Sequence, residues 1–305
     1  MTSRSGDLKR FVEVTNSGRR TLHIGSGDPL VLLHMGANPW SKWQPLLPHL
    51  LDRFEILAPT LAGWKGGKSL TGPVTLGDVT RGVVEEMDRA GFQSAHIIGC
   101  SMGGLAALGV AREGRARSAL AICPAGGSNQ EQTQRLVKHF EILNNLSWLR
   151  RLLAPVVLSR PRMRRIALRA VLEHGDRIST RQAIAIGKNS ADGDWANLLP
   201  GFSAFRLDST PEVTVPFMVA WGELDRFTPM VNEQPLWHKA VPHAESHVLS
   251  GVGHFPMFDD PHQTGRLMRS WLDRQASASG AQARSAAGQD PLQHGSGLAQ
   301  TAGDL

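Results

Sequence analysis

Short apolar segments and helix-length amphipathic segments alternate along most of this chain. Residues 11–14 and 20–24 alternate apolar and polar positions on either side of Asn16-Ser17-Gly18, which predicts a β-hairpin. Continuous apolar runs bounded by loops predict buried strands. Such runs occupy residues 30–34, 54–58, 95–98, 119–123 and 216–221. Residues 245–249 form a further predicted strand. Helical patterns lie between them at 43–51, 76–90, 105–111, 231–240 and 261–274. This order predicts an α/β fold with a mostly parallel central sheet and helices on both faces.

The alternation is interrupted between residues 126 and 200, where helical patterns continue without a convincing strand pattern. Within this stretch, residues 161–174 place apolar side chains at helical spacing, with arginines on the opposite side. The apolar stripe consists of Met163, Ile166, Ala167, Ala170 and Val171. A block of helices inserted into an α/β alternation predicts a helical cap, or lid, over the sheet.

The composition changes again near the C-terminus. After Gln275 the chain is rich in Ala, Ser, Gly and Gln and almost free of large apolar side chains. Such a segment cannot bury enough surface to offset the entropy lost on ordering, so we expect it to be disordered. The expected parts are a first core part at 1–125, the cap at 126–200, a second core part at 201–274 and the tail at 275–305.

The bulk composition is ordinary for a soluble globular protein, with 41% hydrophobic and 20% charged residues in a chain of 305. No secretory signal is visible in residues 1–10, and no uncharged apolar run approaches the ~20 residues of a membrane span. The two cysteines, Cys100 and Cys123, do not make a disulfide framework. These features predict a cytoplasmic protein without a membrane span.

The formal net charge is +6, and the basic excess is densest in the predicted cap, which is rich in arginine. No aromatic side chains interleave with these arginines, and no nucleic-acid-binding motif accompanies them, so we expect a solvated face. The expected partner is a small-molecule substrate and not a nucleic acid. The sequence leaves the oligomeric state open.

The segment Gly99-Cys100-Ser101-Met102-Gly103 lies between a predicted strand and a predicted helix. A Gly-x-Ser-x-Gly sequence in that context is typical of a nucleophile elbow, a sharp turn that holds a reactive serine clear of the sheet. The strained turn brings strand and helix so close that residues two before and two after the serine must be nearly free of side chains. Gly99 and Gly103 meet that requirement, and Ser101 is the predicted nucleophile.

A serine hydroxyl reacts only when a base takes its proton, and the base needs a carboxylate behind it. Among the 12 histidines, His254 lies in a Gly-rich loop after the last predicted strand, at the same rim of the sheet as the elbow. Asp225 follows strand 216–221 and is the predicted acid, with Glu223 in the same turn as the alternative. The predicted catalytic residues are therefore Ser101, Asp225 and His254.

The negative oxygen of a tetrahedral intermediate needs preorganised N–H donors, which form an oxyanion hole. One predicted donor is the backbone N–H of Met102, at the start of the elbow helix, where the helix dipole favours negative charge. The second is expected from Gly36, or alternatively Met35, in the loop after strand 30–34, which His34 is expected to brace. No residue cluster has metal-ligand spacing and no Gly-rich loop suits a nucleotide, so no metal and no cofactor are expected.

Together these segments resemble the α/β-hydrolase superfamily, in the branch that carries a helical cap between strand six and the next helix. The order of serine, acid and histidine along the chain agrees with that resemblance. The chain departs from the family at Met35, because the family usually has glycine directly after the histidine of this loop. A side chain is therefore expected to intrude into the oxyanion loop. The matching segments are 32–36, 58–64, 99–103, 221–226 and 253–257.

The resemblance implies a serine hydrolase, similar to carboxylesterases, that cleaves an ester-like bond of a small, partly apolar substrate through an acyl-enzyme. Because this fold hosts many reactions, a C–C bond hydrolase or a perhydrolase similar to haloperoxidases is an alternative on the same residues. A non-catalytic ligand-binding protein is a further alternative. A serine in the place of an aspartate nucleophile, together with zero tyrosines, argues against epoxide hydrolase chemistry, and the serine also argues against haloalkane dehalogenase chemistry.

Overall fold

The computed structural model describes residues 12–14, 20–36, 40–72, 74–126, 147–189, 207 and 211–287. In these residues the chain forms one eight-stranded sheet. The strands are β1 (Val12–Val14), β2 (Arg20–Gly25), β3 (Asp28–Leu33), β4 (Phe54–Pro59), β5 (Ala95–Cys100), β6 (Ala116–Ile122), β7 (Phe217–Gly222) and β8 (Glu245–Leu249). Each predicted strand is present, with bounds that differ by a few residues at most.

The strands lie side by side in the order β1-β2-β4-β3-β5-β6-β7-β8. β2 pairs antiparallel with β1 and with β4, and all the remaining pairs are parallel. Val12 faces Leu22 in the first pair, which confirms the predicted hairpin. The carboxyl ends of the parallel strands meet at one rim of the sheet, where open α/β sheets place their ligand sites.

Helices cover the sheet, and three of those described lie in the long connection between β6 and β7. They are a 3-10 helix (Trp40–His49), α1 (Leu76–Arg89), α2 (Met102–Arg112), α3 (Ser147–Ser159), α4 (Pro161–Ala167), α5 (Thr180–Asn189), α6 (Met230–Ala240), α7 (Pro256–Asp259) and α8 (Pro261–Ala287). Residues 147–189, which contain α3 to α5, are called the inserted segment below. Among the helices described, none combines the length and the apolar character needed to cross a membrane.

Alternate side chains of the central strands enter two different apolar clusters. Leu30 and Leu32 of β3 belong to the first cluster, and Val31 and Leu33 belong to the second. Because successive side chains of a strand point to opposite faces, the sheet has an apolar core on each face. The first cluster also contains Leu158 of α3, so the inserted segment shares its core with that face.

The helix predicted at 161–174 is shorter than expected and buries a different side. α4 covers only the first half of that range, and Met163 and Ile166 of the predicted apolar stripe are 41% and 69% exposed. Arg164 is buried instead, because its guanidinium group donates to the Thr180 hydroxyl and to backbone carbonyl groups of neighbouring turns. Hydrophobic spacing could not reveal those acceptors, so the predicted orientation was wrong.

The last helix runs past its predicted end at Arg274. α8 continues to Ala287, so residues 275–287, which composition assigned to a disordered tail, are helical. Alanine is a strong helix former, and no proline interrupts the segment, which allows the helix to continue past the last large apolar side chains. The remainder of the predicted tail, residues 288–305, lies outside the described residues.

Candidate active site

Ser101 stands on the turn between β5 and α2 with a strained backbone. Its φ is 56° and its ψ is −115°, outside the regions that non-glycine residues ordinarily adopt. Its N–H donates to the carbonyl oxygen of Ile122 at 2.9 Å, which ties the turn to the end of β6. A Cβ at Gly99 would lie 1.9 Å from the carbonyl oxygen of Gly103, and a Cβ at Gly103 would lie 2.1 Å from that of Leu33. The packing therefore requires both glycines.

A continuous line of hydrogen bonds joins side chains from three distant parts of the chain. Nε2 of His254 lies 3.0 Å from Oγ of Ser101, and Nδ1 lies 2.8 Å from Oδ2 of Asp225. The side chains of His254 and Asp225 are only 2% and 1% exposed. An ionised carboxylate can only accept, so Nδ1 carries the imidazole proton, and Nε2 is left to accept the proton of the serine hydroxyl.

Asp225 is held in one orientation by the backbone that follows it. Its Oδ1 accepts the N–H groups of Phe227 at 2.8 Å and Thr228 at 2.9 Å. Burial acts to raise the carboxyl pKa of Asp225, but the charge and hydrogen bond of His254 and the two backbone donors outweigh burial and lower that pKa below its usual value. The carboxylate is therefore ionised at neutral pH.

Glu223, the alternative acid, points away from the imidazole. Its side chain is exposed, and its Oε2 accepts the N–H of Gly251 at 2.7 Å. That hydrogen bond steadies the turn that leads into the loop of His254. The geometry thus places Asp225, and not Glu223, in contact with the histidine.

Thr228 contacts both the acid and the base, although no sequence pattern predicts this. Its side chain is buried, and its Oγ1 lies 2.9 Å from Oδ2 of Asp225, 3.1 Å from Nδ1 of His254 and 3.2 Å from the carbonyl oxygen of Cys123. The hydroxyl has one proton, which it donates to the carboxylate or to the carbonyl group, while its lone pairs face the Nδ1–H. Thr228 therefore restrains acid and base together. A threonine three residues after an acid carries no recognisable sequence signal.

Two phenyl rings enclose the imidazole of His254. The ring centres of Phe227 and Phe255 lie 4.6 Å and 5.2 Å from that of the imidazole, at interplanar angles of 44° and 40°. Such contacts restrict rotation of the imidazole and keep water away from its hydrogen bonds. The hydrogen bonds to the serine and the aspartate are therefore weakly screened.

The loop after β3 is braced at two of its carbonyl groups. His34 accepts the N–H of Leu61 at Nε2 (2.9 Å), so its Nδ1 carries the proton and donates to the carbonyl oxygen of Met35 (2.8 Å). Burial lowers the pKa of His34 to about 4, which keeps the ring neutral. The indole N–H of Trp64 donates to the carbonyl oxygen of Gly36 at 2.5 Å. These bonds confirm that His34 braces this loop.

The two predicted oxyanion donors come from neighbouring backbone segments. Met102 is the first residue of α2, so its N–H is one of the amide groups that have no acceptor within the helix. Gly103 packs directly on the carbonyl oxygen of Leu33, which keeps the start of α2 beside the loop that contains Gly36. The side chain of Met35, expected to intrude here, is 1% exposed and packs in the first apolar cluster.

A buried carboxylate fastens the loop after β8 to the inserted segment. Oδ2 of Asp259 accepts the N–H groups of Gly253 at 2.8 Å and Glu173 at 3.0 Å, and Oδ1 accepts the N–H of His174 at 2.8 Å. The residue is 4% exposed. Hydrogen bonds to a buried charged acceptor are stronger than those between neutral groups. Asp259 therefore sets the position of the glycine that directly precedes His254.

Two further contacts attach the site to the same part of the inserted segment. The N–H of Phe255 donates to the carbonyl oxygen of Val171 at 3.0 Å. Arg226, which directly follows the acid, pairs with Glu173 at 2.7 Å, and this hydrogen bond is the main cause of a lowered pKa at Glu173. The loops that carry the acid and the base are thus both bound to residues 171–174.

Cys100 and Cys123 are free, buried thiols close to the site. Burial raises the pKa of each thiol well above its usual value, and the carboxylate of Asp225 raises it further. Ligand atoms of Cys123, Asp225 and His254 lie within 4.8 Å of one another, a spacing that a metal ion could bridge. A protonated thiol is a poor ligand, and the other two atoms bond to each other, so this group does not fit a metal site. That the protein needs no metal and no cofactor remains a prediction.

Comparison with known proteins agrees with the fold. A model of a family described as "Alpha/beta hydrolase family" matches residues 30–267. The chain belongs to the alpha/beta hydrolase family. This alpha/beta hydrolase is 24% identical over 283 residues to a 2-hydroxy-6-oxononadienedioate/2-hydroxy-6-oxononatrienedioate hydrolase of a Pseudomonas species, a match that covers 87% of the chain and 96% of the relative. It is 28% identical over 207 residues to epoxide hydrolase EphH of Mycobacterium tuberculosis, covering 63% and 92%.

A solved structure repeats the same architecture. An esterase of Exiguobacterium antarcticum superposes with a TM-score of 0.66 at 15% identity, covering 85% of this alpha/beta hydrolase and 97% of the esterase. At that identity the likeness shows the fold alone. The predicted fold class is confirmed, and the relatives show that the chain is a hydrolase of this fold.

Proposed function

We propose that this alpha/beta hydrolase cleaves an ester-like bond of a small, partly apolar substrate through an acyl-enzyme. Ser101 is the nucleophile, His254 is the base and then the acid, and Asp225 orients and stabilises the imidazole. One observation carries the proposal: Nε2 of His254 lies 3.0 Å from Oγ of Ser101, while its Nδ1 lies 2.8 Å from Asp225. A serine hydroxyl is a weak nucleophile unless such a base takes its proton.

In the first step Oγ of Ser101 bonds to the carbonyl carbon of the substrate while the hydroxyl proton moves to Nε2 of His254. The carbonyl oxygen becomes an oxyanion, which accepts the N–H groups of Met102 and Gly36. The bond to the leaving alkoxide then breaks, and the alkoxide takes the proton from Nε2. Water, deprotonated by the same nitrogen, attacks the acyl-enzyme, releases the acid and restores the serine hydroxyl.

The proposed roles agree with the electrostatics of the site. Each half-reaction turns His254 into an imidazolium, and the carboxylate of Asp225 stabilises that charge. Because both side chains are shielded from water, their attraction is screened less than it would be at the surface. Thr228 contacts both Asp225 and His254 and so restrains their relative positions. Little reorganisation is then needed when the charge develops.

Similarity to an epoxide hydrolase does not transfer epoxide hydrolysis to this chain. A carboxylate nucleophile that opens an epoxide forms an ester, which water cleaves at the carbonyl carbon. A serine that opened an epoxide would form an alkyl ether, which has no carbonyl carbon for water to attack. A serine at position 101 therefore supports acyl transfer and opposes epoxide opening.

Cleavage of a carbon–carbon bond is a second candidate reaction for the same three residues. The match to the Pseudomonas hydrolase over 87% of this chain favours it. The substrate class would be a vinylogous 1,5-diketone. Addition to one of its carbonyl groups can break the neighbouring carbon–carbon bond, since the departing carbanion is delocalised and takes up a proton.

We assign the segment at 126–200 the role of a lid over the substrate pocket. The hydrogen bonds from residues 171–174 to the loops of the acid and the base support this role. We also propose the cytoplasm as the compartment of the protein. Two buried free thiols, Cys100 and Cys123, are typical of proteins from a reducing environment.

Hydrolysis of p-nitrophenyl butyrate by the purified full chain tests the proposal. Ser101→Ala, His254→Ala and Asp225→Asn should each lower kcat/KM by about 10⁴-fold, because each removes a group needed for proton transfer. Glu223→Gln is the matched control, since it neutralises a carboxylate in the same turn that does not contact the histidine. A Ser101→Ala protein as active as wild type contradicts the proposal.

A second assay separates the two candidate reactions. Wild-type protein is given a p-nitrophenyl ester and a vinylogous 1,5-diketone under the same conditions. Faster turnover of the ester supports ester hydrolysis. A diketone turned over far faster than any ester, with the same loss on Ser101→Ala, selects carbon–carbon bond cleavage.

A further inference from the structure

Lys42 is a buried lysine in the 3-10 helix Trp40–His49. It is 2% exposed, and its Nζ lies 5.3 Å from the centre of the Phe258 ring, in a cation–π contact. Throughout the part of the chain that the structure describes, its ammonium group has no hydrogen bond and no carboxylate partner. Buried charges in proteins are normally paired, so an ammonium group without a counter-ion among the described residues is unusual.

Burial has a measurable effect on this amine. It lowers the pKa of Lys42 from 10.5 to about 7. A nearby carboxylate would favour the charged form and hold the pKa up. An anion that entered beside Lys42 would therefore gain a charge partner, and the amine would gain a proton.

Lys42 also lies on an element that is close along the chain to the predicted oxyanion loop. The 3-10 helix begins four residues after Gly36, and α7, which contains Phe258, begins two residues after His254. These two elements pack against each other. Phe255, at the start of α7, bonds to the inserted segment. The ammonium group is thus placed between elements that begin at the oxyanion loop and at the loop of the base.

We propose that Lys42 binds a carboxylate of the substrate, so that the enzyme prefers acyl compounds that carry a negative charge. This inference rests on the proposed hydrolytic function. Phe258 contacts the cation through its ring face, which leaves the three N–H donors of the ammonium group for oxygen acceptors. A carboxylate supplies one negative charge for one ammonium group. A phosphate dianion would leave a second charge buried without a partner, which favours the carboxylate.

The substitution Lys42→Met tests the inference, because it removes the charge and keeps an unbranched side chain that is only one heavy atom shorter. The substrates are p-nitrophenyl half-esters of succinate, glutarate and adipate, each compared with the neutral butyrate, valerate or hexanoate ester of equal chain length. A second pair, phenyl butyrate and 3-carboxyphenyl butyrate, places the carboxylate on the leaving group. Lys239→Met, at an exposed position of α6, is the control.

We expect wild type to prefer the charged ester over its neutral counterpart in one of the two substrate series, with the carboxylate either on the acyl group or on the leaving group. Lys42→Met should lower kcat/KM for that member by about 30- to 1000-fold, as loss of a buried charge pair does, while the neutral ester changes little. Lys239→Met should leave both unchanged. No preference for a charged substrate in either arm overturns the inference, as does an equal loss on charged and neutral esters after Lys42→Met.

A binding measurement keeps this inference separate from the proposed reaction. Hexanoate should raise the Tm of wild type and of Ser101→Ala but not of Lys42→Met, and hexanamide should raise the Tm of none of them. If wild type hydrolyses no ester and hexanoate still shows this pattern, the reaction is wrong and the anion site stands. If hexanoate binds Lys42→Met as well as it binds wild type, or binds neither, the anion site is wrong.

Discussion

Replacing Asp259 by alanine should loosen the fold and the candidate site together. The carboxylate accepts three N–H groups, from Gly253, Glu173 and His174, at 2.8, 3.0 and 2.8 Å. A hydrogen bond to a charged group contributes about 1.5–3 kcal/mol, but relaxation and water recover part of the loss. Breaking a buried charged network costs about 3–5 kcal/mol in total. For a domain of this size we therefore expect the Tm to fall by about 6–20 °C.

Thermal unfolding followed by circular dichroism measures the Tm of Asp259→Ala, and two further variants serve for comparison. Asp259→Asn keeps one acceptor oxygen, enough for the N–H groups of Gly253 and Glu173, so its Tm should fall by less. Glu245→Ala removes a surface ion pair with Arg274, in which the side chains are 55% and 50% exposed, and should cost less than about 1 kcal/mol. If Asp259→Ala has the same Tm as Glu245→Ala, the carboxylate does not hold the loop and the inserted segment together.

Three other substitutions give distinct results. Thr228→Val should lower kcat/KM about tenfold, because a buried hydroxyl that restrains acid and base contributes about 1–1.5 kcal/mol, and Thr228→Ser should restore the activity. A Val variant as active as wild type removes the positioning role. Gly103→Ala should destabilise the fold by about 1–3 kcal/mol or prevent folding, since its Cβ would lie 2.1 Å from the carbonyl oxygen of Leu33. Gly77→Ala, whose Cβ would meet no atom closer than 3.7 Å, is the control that should fold normally. Lys42→Met should stabilise the protein against urea by up to ~5 kcal/mol at pH 6, where the wild-type amine is buried as a cation. Between pH 7 and 10.5 the unfolded chain binds more protons than the folded one, so the free energy of unfolding of wild type rises with pH. The stability advantage of Lys42→Met should therefore shrink over this range. If Lys42→Met is no more stable than wild type at pH 6, Lys42 is not buried as a cation.

The elbow could be predicted because its requirements are local in sequence. Gly99 and Gly103 are set at fixed offsets from Ser101 by the closeness of strand and helix, and the contact distances repeat that requirement in the structure. His254 and Asp225 could be predicted because the ends of parallel strands meet at one rim, so position after a strand implies position in space. The order of strands and helices along the chain was therefore enough to predict that these two residues lie at the same rim as Ser101.

Thr228 and Asp259 could not be predicted from the sequence, because their roles depend on partners far along the chain. The hydroxyl of Thr228 meets His254 only after β7 and β8 pair, and nothing local distinguishes it from a surface threonine. Asp259 accepts N–H groups from residues 173 and 174, which are more than eighty positions away. Long-range acceptors of this kind leave no periodic signal.

The inserted segment and the last helix show the limits of reasoning from composition. The hydrophobic periodicity predicted that Met163 and Ile166 are buried. The buried side chain is instead Arg164, because backbone carbonyl groups of adjacent turns accept hydrogen bonds from its guanidinium group. Low apolar content after Gln275 predicted disorder, whereas α8 continues to Ala287 through a segment rich in alanine, a strong helix former. Burial and helicity are separate properties, and hydrophobic pattern reports only on the first.

In the proposed mechanism, an imidazole backed by a carboxylate makes a single hydroxyl group nucleophilic. Incubation of the full chain with a fluorophosphonate, followed by peptide mass spectrometry, locates the most reactive hydroxyl directly. We expect one adduct, on Ser101, which is lost in His254→Ala and in heat-denatured wild type. An adduct on a different residue, or labelling of Ser101 that is as fast in His254→Ala as in wild type, contradicts it.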